Sequence, residues 1–165
     1  MNSGLVLYEE EFRLIAGICD RLTRDANAKV VFLVDKNGQL IASSGQAQNL
    51  DTTSLASLTA GNVAATDGLA KLIGEREFSI LFHEGEKDNI HISIVAQRVI
   101  LVVIFDERSS LGLVRLRVKK ASTELNDVFA RIMAKVEREK SQAGTAFESP
   151  FAEITDEDID SLFSE

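Results

Sequence analysis

Few side chains in this sequence could do chemistry. His83 and His91 fall on two successive strand-like runs, with Glu84 and Asp88 close by. A metal ion needs three or four converging ligands. Their positions instead predict solvent-facing strand histidines and turn acids. Cys19 is the one cysteine, which excludes an internal disulfide and any CxxC metal pair. Its place on an apolar helix face predicts a buried, inert thiol. Asp156, Asp158 and Asp160 repeat the start of a calcium loop, but Ser161 stands where that loop needs glycine and the chain ends before its twelfth position. There is no GxxxxGK[ST] phosphate loop. Neither histidine has a nucleophile companion for acyl-transfer chemistry. The basic run GLVRLRVKK sits amid a helical apolar stripe and reads as a solvated face. No catalytic residue, cofactor or metal is expected.

Two other patterns suit binding. Ala56, Ala60, Ala64 and Gly68 recur every four residues, with Ser57, Gly61 and Ala65 beside them. Such a strip lets another backbone come close, either this chain's own sheet, a second copy or a partner. Gly61 and Gly68 each cost a helix roughly 1 kcal/mol relative to alanine, so some contact should compensate. Near the C-terminus Ile159, Leu162 and Phe163 share one helical face behind Thr155, a plausible N-cap, within an acidic stretch. That pattern suits a segment that folds on binding to a groove; a purely solubilising tail is the alternative.

These residues need elements to position them. Tyr8, Phe12, Ile15, Cys19 and Leu22 mark one face of a first helix over about 8–25, with Glu9, Glu10 and Glu11 in its first turn, where the helix dipole favours negative charge. Lys29–Asp35 and Gln39–Ser43 read as strands around Asn37-Gly38, a hairpin signal in which both residues tolerate positive φ. A second helix over about 52–73, capped by Asp51, carries Leu55, Leu58, Ala65, Leu69 and Leu72 as one stripe. Three strands follow: Phe78–Gly85, Asn89–Val95 and the wholly apolar Val99–Asp106, expected to be covered on both faces. The third helix begins after Ser109 or Ser110, carries Leu111, Val114, Val118, Ala121, Leu125, Val128, Ile132 and Val136, and is expected to end before Ser141. The order α-β-β-α-β-β-β-α implies an α+β sandwich with an antiparallel five-stranded sheet. The strand from Phe78 invites edge pairing across a homodimer.

Composition agrees with a soluble domain and a tail. The 165 residues are 45% hydrophobic and 27% charged. Seven acidic residues and no basic ones lie in residues 141–165, so most of the net charge of −8 belongs to the tail. The division expected is a domain over 1–140 and an acidic, flexible linker with an amphipathic motif over 141–165. No basic footprint suits a nucleic acid. The longest apolar run, Val99–Phe105, is far short of the roughly 20 residues of a spanning helix. With no basic, apolar leader and a single thiol, the expectation is a cytoplasmic protein.

Three stretches, AKVVFLVDKNGQLIASSG, DTTSLASLTAGNVAATDGLAKLIGE and VILVVIFDERSSLGLVRLRVKKAS, resemble the Roadblock/dynein light chain family, and specifically its bacterial gliding-motility members. The terminal SPFAEITDEDIDSLFSE resembles the tail of those members, so the likeness covers nearly the whole chain. The resemblance implies a homodimer that binds an MglA-like small GTPase of the Ras family in its GTP-bound state. It implies GTPase activation in cell polarity and motility, with the protein concentrated at a cell pole. Hydrolysis would be accelerated by stabilising the GTPase's own catalytic residues rather than by inserting an arginine finger. Carried onto this sequence, GTPase contact falls on Ala56, Ala60, Gly61, Ala64, Gly68 and Lys71, although Thr66-Asp67 varies from the family pattern there. Dimerisation falls on the second helix and on Phe78, Ile80 and Phe82. Ile159, Leu162 and Phe163 form a separate C-terminal partner motif. A non-catalytic dimeric scaffold for a small GTPase is the alternative. A ligand sensor of PAS-like or profilin-like shape would need an internal pocket, and the dense aliphatic stripes argue for a filled core.

Overall fold

The computed structural model describes residues 8–146. The elements are α1 (Glu9–Asp25), β1 (Val30–Asp35), β2 (Leu40–Gly45), α2 (Thr52–Leu72), β3 (Ile80–Glu84), β4 (Asn89–Val95), β5 (Val99–Phe105) and α3 (Leu111–Ala146). All strand pairs are antiparallel, in the order β2-β1-β5-β4-β3. The α+β class and the element order are those the sequence predicts. Helices α1 and α3 cover one face of the sheet and α2 the other, so the sheet is the middle of three layers.

Strand β5 lies at the centre and is buried at every position, as its unbroken apolar run requires. Strand β1 beside it is also buried throughout: Val31 and Leu33 face α1 and α3, while Val30, Phe32 and Val34 face α2. From α3 the stripe Val114, Val118, Ala121, Leu125, Val128 and Ile132 enters the core, joined by Phe129. From α1 come Ile15, Ile18, Cys19 and Leu22. Burial pushes the Cys19 thiol up to about 12, so it stays protonated and inert.

Four local outcomes differ from expectation. Phe12 is exposed, and Glu11 is buried in its place because its carboxylate pairs with Lys135 Nζ on α3. That pairing holds the Glu11 carboxyl below the usual range. Helix α3 starts on its Ser110 cap, where Oγ accepts the Leu113 N–H at 3.2 Å, but continues to Ala146 rather than stopping before Ser141. No proline interrupts the chain until Pro150, so propensity alone lets the helix run on.

The turns also exchange roles. At Asn37-Gly38 only the glycine takes positive φ (91°). Asp35 Oδ1 accepts the N–H groups of Asn37 and Gln39, both at 2.9 Å, and this local clasp holds a longer turn than the two-residue hairpin loop. Between β4 and β5 it is Ala96 and Gln97 that both have positive φ, 54° and 60°, with the Arg98 N–H bonded to the Val95 carbonyl at 3.2 Å. That is the pattern of a type I′ turn without its usual residues.

Candidate partner-binding site

Helix α2 begins as the sequence predicts: Asp51 Oδ1 accepts the Ser54 N–H at 3.0 Å, and the Ser54 hydroxyl donates to Oδ2 at 2.6 Å. Its inner face is made of small residues. Ala56, Ala60 and Val63 share a buried cluster with Phe32, Val34, Ile92, Ile100 and Val102. The helix therefore rides close to the sheet and to the β1–β2 turn. A Cβ at Gly38 would lie 3.3 Å from Ser57 Cα, so this position needs glycine for space as well as for its φ.

The leucine stripe on the same helix turns outward. Leu58, Leu69 and Leu72 are 72%, 60% and 84% exposed, Ala65 is exposed, and only Leu55 is half-buried. Ile73, just past the helix, extends the apolar surface, whereas Ile80 on β3 pairs with Ser93 and, like Phe82, lies on the α3 side of the sheet. Several large apolar side chains exposed along one helix are the kind of surface that suits association.

The small-residue strip is split by the fold. Ala56 and Ala60 are covered by the chain's own sheet, whereas Gly61, Ala64, Gly68 and Lys71 are exposed. Two contacts orient the exposed part. Asn62 Nδ2 donates to His83 Nε2 on β3 at 3.0 Å, marking the flank of α2 nearest the sheet edge. Ser57, beside Gly38, marks the opposite flank. At 3.6 residues per turn, Leu58 and Leu69 fall toward β3, and Ala64, Gly68 and Lys71 toward the β1–β2 turn. Gly61 and Leu72 lie on the crest between. The helix thus presents a leucine flank and a small-residue flank.

Strand β3 is an edge strand, paired with β4 alone. Ile80 is exposed at that edge, and Phe78 is half-buried just before the strand begins. Phe82 instead turns into the α1–α3 layer, its ring 6.2 Å from that of Phe105. Ile159, Leu162 and Phe163 lie outside the described residues.

His91 corrects a sequence expectation. It is fully buried on the α1–α3 side of β4 rather than solvent-facing, because α3 passes over that strand. Burial pushes its pKa down, and the Arg115 charge adds to that. No pattern in the sequence marks it, since alternation along β4 predicts only two faces and not that both are covered. His83 remains exposed. Among the described residues no three or more His, Cys, Asp or Glu side chains gather as a metal site. No helix there is long and apolar enough to cross a membrane.

The Roadblock/LC7 domain family matches residues 14–105, from within α1 to the end of β5. Among solved structures, Myxococcus xanthus MglB is 72% identical over 78% of this chain and 96% of that one, with a TM-score of 0.74. The gliding protein MglB from Thermus thermophilus is 32% identical over 78% of this chain and 97% of that one, with a TM-score of 0.72. A structure described as MglB with a tetrameric arrangement is 30% identical over 80% of this chain and 99% of that one, with a TM-score of 0.74. Comparison with curated proteins gives no match. With more than half its length matched by the domain and its three helices and five-stranded sheet in the same arrangement, this chain belongs to the Roadblock/LC7 family.

Proposed function

We propose that this chain is an activator of an MglA-like small GTPase of the Ras family, acting as a homodimer in bacterial polarity and motility. The observation that carries this reading is the exposed face of α2, where an apolar crest and a small-residue flank stand uncovered on a chain 72% identical to Myxococcus xanthus MglB. The likeness to a protein described as a gliding protein supports the cellular setting.

The two flanks suit two contacts. The leucine flank of Leu58 and Leu69 falls toward the unpaired edge of β3, whose other face carries the exposed Ile80, so a second copy is assigned to that edge. Burying each leucine would contribute about 1.5–3 kcal/mol. The GTPase is assigned to Gly61, Ala64, Gly68 and Lys71. This flank offers Lys71 as its one cation and no arginine. Activation would then work by population shift: a partner that binds the hydrolysis-competent conformation raises its occupancy without supplying a reacting group. The C-terminal motif Ile159, Leu162 and Phe163 is assigned a second contact on the GTPase, as part of an acidic segment beyond the α3 end at Ala146, which moves the expected boundary at 140 along the chain.

Single-turnover GTP hydrolysis by the cognate MglA-like GTPase, with and without this protein, tests the reading. A raised rate at saturating protein is expected. Binding without any rate change would make the protein a non-catalytic scaffold and sink the activator reading.

A further inference from the structure

On the sheet face away from α2, a cavity of about 470 Å³ opens between α3 and the β3–β4 edge. Its walls include Ile80, Ile94 and Val118, and its polar lining includes His91, Ser93, Arg115 and Lys119, with hydroxyl residues of α3 and of the approach to β3 beside them. Two of those polar groups are buried and unmatched. Among the described residues neither ring nitrogen of His91 has a hydrogen-bond partner, and neither does the Ser93 hydroxyl. A buried polar group left unpaired calls for an explanation, because the desolvation it has undergone is not recovered. Arg115 and Lys119 stand one helical turn apart on the rim, and neither has a carboxylate partner among the described residues.

Two cations, an imidazole and a hydroxyl around one cavity form a donor-rich set with no carboxylate among the described lining residues. We propose that this cavity binds an oxyanion, a carboxylate or phosphate group, held by Arg115 and Lys119 and reached by His91 and Ser93 from the floor. Charge-assisted donors of this kind bind planar or tetrahedral oxyanions well, arginine above all. Desolvation, and after it the Arg115 charge, hold the pKa of the buried imidazole below its ordinary value. An arriving anion offsets that charge and accepts the imidazole N–H. The site lies across the sheet from the α2 surface, borders the assigned dimer edge at Ile80 and stands independently of the GTPase assignment.

Two sources share this chemistry: a free anion and the chain's own acidic C-terminal residues, among them Asp156, Glu157, Asp158 and Asp160. The test titrates inorganic phosphate into the full chain at constant ionic strength, with chloride as the control. Imidazole NMR signals of His91 and of the exposed His83 are followed together. A saturable shift of His91 but not His83 is expected, weakened about tenfold or more in Arg115→Gln and likewise in Lys119→Gln. The same titration on the full chain carrying Asp156→Asn, Glu157→Gln, Asp158→Asn and Asp160→Asn separates the sources. Tighter phosphate binding there identifies the tail carboxylates as the competing occupant; unchanged binding identifies a free anion. A His91 signal that responds no differently to phosphate than to chloride overturns the proposal, as does binding that survives both rim substitutions.

Discussion

Helices α2 and α3 lie on opposite faces of one sheet and dispose of their apolar residues in opposite ways. On α3 the large aliphatic stripe from Val114 to Ile132 faces inward and is buried. On α2 the alanines face inward and the leucines face out. A helix that needs only its own chain puts its bulk in the core. A helix apolar on both faces, with glycines on its outer surface, leaves apolar area that its own chain does not cover. The contrast teaches that periodicity reveals that a helix has an apolar face, whereas residue size indicates which face the chain itself keeps.

The strongest way to break this comparison is to truncate matched leucines. Leu125→Ala on α3 should cost about 2–5 kcal/mol in urea unfolding. Leu69→Ala on α2 should change the stability of the dilute chain by no more than about 0.5 kcal/mol. It should instead weaken self-association in sedimentation equilibrium. Equal destabilisation by the two would refute the division.

Enlarging the small residues sharpens it further. Ala60→Leu, against the sheet, should destabilise by about 1–3 kcal/mol through overpacking. Ala64→Leu, one turn along and exposed, should be close to neutral by the same assay.

A smaller effect of opposite sign is expected at the glycines. A Cβ at Gly61 or Gly68 meets no atom within 4 Å. Each Gly→Ala change should therefore stabilise the chain by roughly 1 kcal/mol, while lowering affinity for a partner whose backbone packs there. A loss of stability in the dilute chain would mean that the chain itself uses this space.

The smallest effect concerns acid, and it belongs to the α3 layer. Glu11 and His91 both have folded-state pKa values below their ordinary ones, Glu11 through the Lys135 hydrogen bond and His91 through burial. In each case the unfolded chain takes up the proton first as pH falls. The His91 contribution is present above its ordinary value and is lost as pH drops through the lowered one. The Glu11 contribution follows lower, beginning at ordinary carboxylate values. Lys135→Met should flatten the lower part of the stability–pH curve, and His91→Leu the upper part. An unchanged curve in both would remove these two groups from the account.

Sequence carried the layout because periodicity and capping are local. The α3 stripe, the Asp51 cap and the buried run of β5 are all set by near neighbours. The orientation of α2 was hidden because both its faces are apolar. Asn37-Gly38 reads as a two-residue hairpin until the Asp35 carboxylate claims the amides of Asn37 and Gln39, and Ala96-Gln97 has no turn signature at all. Glu11 and His91 were missed for one reason: their burial depends on Lys135 and on the path of α3, far away in the chain. At the candidate site the spacing identified the right helix. It could not tell Ala56 and Ala60, which the sheet covers, from Ala64 and Gly68, which it leaves open.

The most direct test of the central claim is single-turnover GTP hydrolysis by the MglA-like partner with wild-type protein and with Ala64→Arg, alongside the solution mass of each. Acceleration by wild type, lost in a variant of unchanged dimer mass and stability, is the predicted result. An Ala64→Arg variant that accelerates hydrolysis as well as wild type would contradict the assignment of the small-residue flank of α2 to the GTPase.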